Sequence, residues 1–75
     1  MRQNIPYPRI RELREAKGLN QSAIARMLHI SQTCYSKYEI GTSDIPVVIL
    51  IELARLHEVS IDYLLGETNN PKRYE

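Results

Sequence analysis

Three side chains in the sequence belong to types that bind metals or take part in redox chemistry: His29, Cys34 and His57. A zinc site needs paired ligands at short spacing, and two histidines with one cysteine do not supply them. The chain also lacks a glycine-rich phosphate loop. We therefore expect no metal, no cofactor, no small-molecule ligand and no enzymatic activity. His57, near the end of a predicted helix, is expected to interact with the helix dipole.

A second group of side chains suits nucleic-acid recognition. Residues 32–40, QTCYSKYEI, have helical spacing that puts Tyr35 and Tyr38 on one side and uncharged polar groups with one lysine on the other. Amide and hydroxyl groups can donate to and accept from base edges: glutamine pairs with adenine, and the threonine methyl contacts thymine. The alternative is that these side chains are simply solvated. The candidate base contacts are Gln32, Thr33, Ser36 and Lys37.

One more glutamine suits a contact to the DNA backbone. Gln21 is expected to open the preceding helix, where the positive end of the helix dipole adds to its amide donor. We therefore assign Gln21 to a phosphate contact.

Charge is distributed unevenly along the chain, although its net charge is only +1. Residues 1–41 contain seven basic and three acidic residues, a net charge of +4, whereas residues 42–75 contain three basic and six acidic residues, a net charge of −3. This asymmetry suggests one half that faces a polyanion and one acidic half. Ordinary solvated helix faces are the alternative explanation.

Length and composition set the broad class. Seventy-five residues make one domain, and 43% of them are hydrophobic, so a core can form but a deep catalytic cleft cannot. A single cysteine cannot form an intrachain disulfide, which suits a reducing compartment. The N-terminus lacks the apolar run of a signal peptide, and the longest apolar run, residues 47–51, is far shorter than the roughly 20 residues of a membrane span. We expect a cytoplasmic protein that does not enter a membrane.

Turn and cap residues divide the chain into five short helices with no strand-like alternation. The expected helical stretches are RIRELREAK, QSAIARMLH, QTCYSKYEI, PVVILIELARLH and IDYLL. The boundary signals are N-caps at Asn20, Ser31 and Ser60, a proline start at Pro46, and glycine ends at Gly18, Gly41 and Gly66. We predict an all-α fold with an N-terminal arm at residues 1–7, a compact domain at residues 8–66 and a flexible polar tail at residues 67–75.

The second and third helices, with the three residues between them, resemble a known family. LNQSAIARMLHISQTCYSKYEIG resembles the helix-turn-helix of the XRE family, DNA-binding domains related to the Cro and lambda-type phage repressors. The matching pieces are RIRELREAKGLNQ, Ala25, SKYE followed by Gly41, LARLHEVS and IDYLLG, in an order and spacing specific to the family. The resemblance covers residues 8–66 and implies the five-helix lambda-repressor-like fold.

The resemblance also implies roles for single residues. It places Gln32, Thr33, Ser36 and Lys37 toward the major groove, Gln21 on a backbone phosphate, and the backbone amides of Gly41, Thr42 and Ser43 near a second phosphate. Arg14 and Glu39 match positions that form a partly buried ion pair between the first and third helices. At the turn, His29 occupies a position where relatives have glycine, so we expect a positive φ there.

Two departures from the family pattern change the expectation. The loop after the third helix reads GTSDI, with Asp44 where relatives carry basic residues, and phosphate contacts dominate nonspecific affinity. We therefore expect weak general DNA binding with greater reliance on base contacts or on a dimer. Tyr35 replaces a smaller aliphatic residue and is expected to fill the core differently.

The fourth helix is more apolar than one buried stripe requires. We expect Val47, Leu50 and Ala54 in the core, with Ile51 and Leu53 as further candidates, and Val48 and Ile49 turned at least partly outward. A homodimer surface near the fourth and fifth helices would cover the outward pair, as the resemblance implies for proteins that read two half-sites. The alternative is that these residues pack against the N-terminal segment around Ile5 and Tyr7.

The resulting hypothesis is sequence-specific binding of double-stranded DNA by a small transcriptional regulator, a repressor, with recognition helix 32–40 in the major groove and a homodimer on a palindromic operator. The competing hypothesis is a protein-interaction module or antitoxin-like partner on the same fold, without specific DNA binding.

Overall fold

The computed structural model describes residues 7–72, and within them it contains helices and no strand. The fold is all-α, as predicted. The five helices are α1 (Pro8–Ala16), α2 (Gln21–Met27), α3 (Gln32–Ile40), α4 (Val47–His57) and α5 (Ile61–Leu64). Residues 1–6 of the predicted arm and residues 73–75 of the predicted tail lie outside the described residues, so the predicted domain boundaries stay predictions.

Side-chain caps begin three of the helices, at the residues that the sequence indicated. The Asn20 side chain accepts a hydrogen bond from the backbone amide of Ala23 at 2.7 Å. Ser31 and Ser60 accept in the same way from the amides three residues later, each at 3.0 Å. Each cap satisfies a backbone donor that the first turn of a helix leaves free. These local contacts explain why such short helices begin where they do.

Left-handed residues end several helices. Gly18 and Gly41 have φ values of 71° and 94°, as expected for glycine after a helix C-terminus. His29 has a φ of 62°, which confirms the positive φ predicted at the turn. Glu58, the C-cap of α4, has a φ of 57° that was not predicted. Pro46 is the N-cap of α4 rather than its first residue, so the helix begins at Val47, one position after the predicted start.

One hydrophobic core joins the five helices. Tyr35 and Tyr38 on the inner face of α3 are buried, with ring centroids 6.4 Å apart and ring planes at 81°, an edge-to-face arrangement. Tyr35, which stands where relatives carry a smaller aliphatic residue, therefore fills the core, as expected. The other buried hydrophobic residues are Ile10, Ile24, Ala25, Leu28, Ile45, Leu53, Ala54, Val59 and Leu64.

Helix α4 departs from the prediction in its first turn, whereas Leu50, one turn later, lies half-buried against the core. Leu53 and Ala54 are buried, while Val47 and Val48 are 67% and 68% exposed. The assignment of Val47 to the core was wrong, because no described residue covers that side of the first turn. Val48 faces outward as expected, and Ile49 is half-buried against the core. Tyr7 lies near this end of the helix, since its hydroxyl accepts from the Ile45 amide at 3.2 Å; Ile5, the other residue of the proposed N-terminal packing, lies outside the described residues.

Residues 67–72 follow the surface of the domain. Arg9 of α1 donates to the backbone oxygens of Tyr63 and Thr68 and to the side chain of Asn69. Its guanidinium lies 4.0 Å from the centroid of the Tyr63 ring, a cation–π contact. The carbonyl of Pro71 accepts from the Ser60 amide at 3.0 Å. The segment predicted as a flexible tail is thus attached to α1 and α5 through most of its described length.

His57 is buried rather than placed at the surface as a charged partner of the α4 dipole. Only 8% of the residue is exposed, and neither ring nitrogen has a hydrogen-bond partner among the described residues. Burial, assisted by the nearby positive charge of Lys17, lowers its pKa to about 4. The imidazole is therefore neutral at pH 7, and the predicted dipole interaction of a cation is wrong.

Candidate nucleic-acid interface

The α2–turn–α3 unit is held together by a small set of apolar contacts. Ala25 is buried in the middle of α2, where its small side chain permits close approach of α3, and Leu28 is buried beside the turn. Ile30 in the turn is half-buried against the same core. Because α2 and α3 are too short to be stable alone, this packing fixes the orientation of the outer face of α3.

The outer face of α3 is polar and accessible. Gln32, Thr33 and Lys37 are exposed, and Ser36 is half-buried. Gln32 is the first residue of the helix, so the polar face begins at the helix N-terminus. The structure therefore brings the four predicted base contacts together on one helix, on the side opposite the buried tyrosines.

Cys34 lies at the edge of this face. Its side chain is half-buried, and the Sγ atom donates a hydrogen bond to the Tyr38 hydroxyl at 3.3 Å.

Across residues 7–72 no group of three or more histidine, cysteine, aspartate and glutamate side chains is arranged to hold a metal ion. No described helix has the length and hydrophobicity to span a bilayer.

The predicted phosphate contacts differ in availability. The backbone amides of Gly41 and Thr42 both donate to the carbonyl of Lys37, at 2.9 and 3.0 Å, and so complete the last turn of α3. These two amides are engaged within the protein. The backbone amide of Ser43 donates no hydrogen bond to another described residue. Of the three predicted loop amides, Ser43 is the one available to a phosphate.

Gln21 is engaged as well. It is the first residue of α2, and its Nε2 atom donates to the Oε1 atom of Glu39 at 3.0 Å. The residue is half-buried, with part of its surface open to solvent. This contact to Glu39 was not predicted, because the two residues are 18 positions apart and lie on different helices.

An ion pair lies directly behind Gln21. The Nε atom of Arg14 is 2.7 Å from Glu39 Oε2, and its Nη2 atom donates to Glu39 Oε1 at 3.3 Å, a two-point contact between α1 and α3. The two side chains are only 10% and 5% exposed. Arg14 Nη1 also donates to the carbonyl of Leu19, just before α2. One guanidinium thus joins α1, α3 and the entry to α2.

Electrostatics keep both members of the pair ionised. Burial alone would raise the pKa of the Glu39 carboxyl, but hydrogen bonds, that from Arg14 foremost, hold it below its ordinary value. The hydrogen bond to Glu39 in turn raises the pKa of Arg14. Glu39 is therefore a carboxylate near neutral pH, with its negative charge balanced by Arg14.

The sequence matches a known family over most of its length. A family model described as "Helix-turn-helix" matches residues 10–64. Two relatives in Bacillus subtilis (strain 168) are the uncharacterized HTH-type transcriptional regulator YobD, 40% identical over 63 residues, and the HTH-type transcriptional regulator ImmR, 36% identical over 67 residues. These alignments cover 84% and 89% of this chain.

A third relative in the same organism, the uncharacterized HTH-type transcriptional regulator YqaE, is 32% identical over 66 residues, or 88% of this chain. The chain spans 53% to 57% of the length of these three relatives. No solved structure matches it. The caps, the left-handed turn at His29 and the polar α3 agree with the family match, and the chain belongs to the XRE-type helix-turn-helix family.

Proposed function

We propose that this protein binds a specific double-stranded DNA sequence and regulates transcription, as a repressor, with α3 in the major groove. The observation that carries the proposal is the exposed polar face of α3, which begins at Gln32 and is held rigidly by the buried tyrosines behind it. A helix-turn-helix reads DNA with the N-terminal residues of its second helix. The names of the three relatives, all HTH-type transcriptional regulators, support the same function.

The proposed contacts divide into two classes. Gln32 and Thr33 at the N-terminus of α3, with Ser36 and Lys37 one turn later, contact base edges. Gln21 and the amide of Ser43 contact backbone phosphates and set the register of the protein on the duplex. The engaged amides of Gly41 and Thr42 stabilise the end of α3 and contribute little to phosphate binding.

A homodimer on a palindromic operator completes the proposal. Two copies would place their α3 helices in successive major grooves, about 34 Å apart. The exposed Val47 and Val48 at the start of α4 favour an apolar contact near this helix. Dimerisation would also compensate for the scarcity of phosphate contacts, since each copy adds its own.

A second function has one observation in its favour. The loop after α3 carries the exposed Asp44, and two of its backbone amides are already bonded within the protein. A surface with few phosphate contacts suits a protein-interaction module on the same fold, which would not bind specific DNA.

Selection of bound sequences from a random duplex pool distinguishes the two functions. Specific DNA binding predicts an enriched site, and a dimer predicts that the site is palindromic. The variant Gln32→Ala with Thr33→Ala should lose about tenfold to 100-fold in affinity for the enriched site and no more than about threefold for random DNA.

The control is Asn70→Ala, which removes a neutral exposed side chain from the C-terminal segment and should bind both DNAs as the unchanged protein does. An unenriched pool, or equal losses on both DNAs, would support the protein-interaction module instead. A reporter with the enriched site overlapping its promoter then tests repression: expression should fall when the protein is present.

A further inference from the structure

The Gln21 side chain is held by a carboxylate that the proposed DNA contacts do not include. A carboxylate accepts hydrogen bonds and does not donate them, so the amide atom that faces Glu39 must be the donor Nε2. Its distance to Glu39 Oε1 is 3.0 Å, and the acceptor is ionised, which makes the bond stronger than one between neutral groups. This contact fixes which end of the Gln21 amide faces the protein.

The anchor itself is rigid. The Glu39 side chain is 5% exposed and accepts two hydrogen bonds from Arg14, which is tied to the carbonyl of Leu19 at 2.7 Å. The carboxylate therefore has little freedom to move away from Gln21. Because Leu19 lies two residues before Gln21, the same guanidinium also fixes the backbone that leads into α2.

The amide keeps one donor after this contact. Nε2 carries two N–H groups, and Glu39 uses one of them. Gln21 is half-buried at the first position of α2, with part of its side chain open to solvent. Ordering a free glutamine side chain would oppose binding through lost rotamer freedom. In this protein the Gln21 side chain is ordered when the chain folds, before DNA binds.

We infer that Glu39 is a positioning residue for DNA binding: it holds one N–H of the Gln21 amide and leaves the second for a backbone phosphate. The inference rests on the proposed DNA-binding function. The positive charge of Arg14 beside the carboxylate prevents Glu39 from repelling that phosphate. Glu39 thus has two roles, in the ion pair between α1 and α3 and in the orientation of a DNA contact on α2.

A double-mutant cycle tests the coupling between the two residues. The anchor is removed by Arg14→Met with Glu39→Met, because replacing both members of a buried ion pair by apolar residues usually preserves the fold. Gln21→Ala is then measured in both backgrounds on the enriched duplex. We expect Gln21→Ala to lower the affinity for the duplex about tenfold in the unchanged protein, as for the loss of a hydrogen bond to a charged group. Without the anchor, the same substitution should lower the affinity about threefold or less.

The control for the cycle is Thr33→Ala, because the Thr33 side chain has no hydrogen bond to Gln21, Arg14 or Glu39 in the described structure. Its effect on affinity should be the same in both backgrounds. Equal losses from Gln21→Ala in the two backgrounds would overturn the inference. No loss from Gln21→Ala in a protein that binds DNA would overturn it as well, and would leave specific DNA binding intact.

A measurement without DNA separates this inference from the proposed function. Nitrogen-15 relaxation of the Gln21 side-chain amide should give an order parameter in the unchanged protein that approaches that of rigid backbone amides, about 0.85, and one below about 0.6 in the Met/Met variant. A mobile amide in the unchanged protein overturns the inference even when DNA binds normally. A rigid amide in a protein that binds no DNA at low salt refutes the proposed function, and with it the phosphate contact.

Circular dichroism checks that the Met/Met variant folds. If it does not, Arg14→Leu with Glu39→Leu takes its place, since this double change also removes the acceptor of the Gln21 amide and leaves no charge buried without a partner. In that variant the Gln21 amide should again become more mobile, and an unchanged order parameter would overturn the inference.

Discussion

His29 adopts a left-handed conformation, with a φ of 62°, at the turn between α2 and α3. A side chain with a Cβ atom is strained there, whereas glycine is not. The strain is tolerated because the turn is fixed on both sides, by the Ala25 carbonyl that accepts from Ile30 and by the Ser31 cap.

Replacing His29 by glycine should leave the free energy of unfolding unchanged or raise it by up to about 1 kcal/mol, because relief of backbone strain offsets the greater freedom of glycine in the unfolded chain. Chemical denaturation measures the difference. The matched control reverses the change: Gly18→Ala, at a φ of 71° with no atom within 4 Å of the added Cβ, should destabilise by about 1 kcal/mol through strain alone. A clear loss of stability in His29→Gly would show that the imidazole makes a contact that outweighs the strain.

His57 gives the fold a sensitivity to mild acid. Its pKa is lowered from 6.5 to about 4 by burial, with a smaller effect from Lys17. In the unfolded chain the imidazole takes up a proton near pH 6.5, so the unfolded state binds more protons between pH 6.5 and 4. Stability is therefore lost as the pH falls through this range, by about 1 to 2 kcal/mol between pH 6.5 and 5.

Denaturation curves at pH 6.5 and pH 5 measure this loss. His57→Leu should remove most of it, because leucine is apolar and does not titrate, and neither ring nitrogen has a hydrogen bond to lose. An unchanged pH dependence in the leucine variant would assign the loss to other groups. The comparison stops at pH 5 because the carboxyl of Glu39, whose pKa is lowered, contributes its own loss of stability at more acidic pH.

At the level of helices, the Arg14–Glu39 pair connects α1 to α3 through nearly buried charges. A second ion pair on α1 provides a natural comparison: Arg11 and Glu15, 3.1 Å apart, are largely exposed. The same chemistry is thus present both inside the domain and on its surface.

Arg14→Ala should cost about 3 to 5 kcal/mol of folding free energy, because it leaves the Glu39 charge buried without a partner. Since small domains are stable by only about 5 to 15 kcal/mol, this loss is a large fraction of the total stability and should lower the melting temperature markedly. Arg11→Ala, the matched surface change, should cost at most about 1 kcal/mol. Thermal unfolding followed by circular dichroism compares the two variants. Similar losses in both would show that burial adds little to the inner pair.

The parts of this structure that depend on local sequence could be predicted, whereas among the distant contacts only the Arg14–Glu39 ion pair was expected, and that from the family resemblance. The caps at Asn20, Ser31 and Ser60 are formed with amides three residues away, so sequence alone was enough to place them. The burial of His57 and the outward position of Val47 depend on which neighbours cover α4, and helical periodicity does not reveal that.

The same distinction holds for the candidate interface. The polar face of α3 followed from helical spacing. The contact that anchors the Gln21 side chain did not follow from it, because Gln21 and Glu39 lie on different helices and the family resemblance paired Glu39 with Arg14 alone. The attachment of residues 67–72 joins Arg9 to groups 54 to 60 positions away, for which no pattern in the sequence gives a signal.

For the molecule as a whole, we propose that the exposed valines at the start of α4 determine whether two copies associate. Val47 and Val48 have two-thirds of their surface open, so a charged residue there should not disturb the core. Ile40, at the end of α3, is also exposed. Apolar surface of this kind favours self-association over a wholly solvated monomer.

Val48→Asp should convert a homodimer to a monomer, because it places a charge in an apolar contact, while the melting temperature of the monomer stays within a few degrees. Sedimentation velocity at micromolar concentration measures the change. The control is Met27→Asp, which adds the same charge at an exposed apolar side chain on α2 and should leave the dimer intact. A monomer at all concentrations in the unchanged protein would refute a homodimer in the absence of DNA.

The edge-to-face contact of Tyr35 and Tyr38 gives the molecule an optical signal of its own. The chain contains no tryptophan, so its near-ultraviolet dichroism comes chiefly from tyrosine rings held in fixed surroundings. Among the described tyrosines, these two are the buried ones, and both belong to α3. Such dichroism disappears when tertiary packing loosens, even while helices persist. An unlabelled sample therefore reports whether the inner face of the proposed recognition helix is still seated in the core.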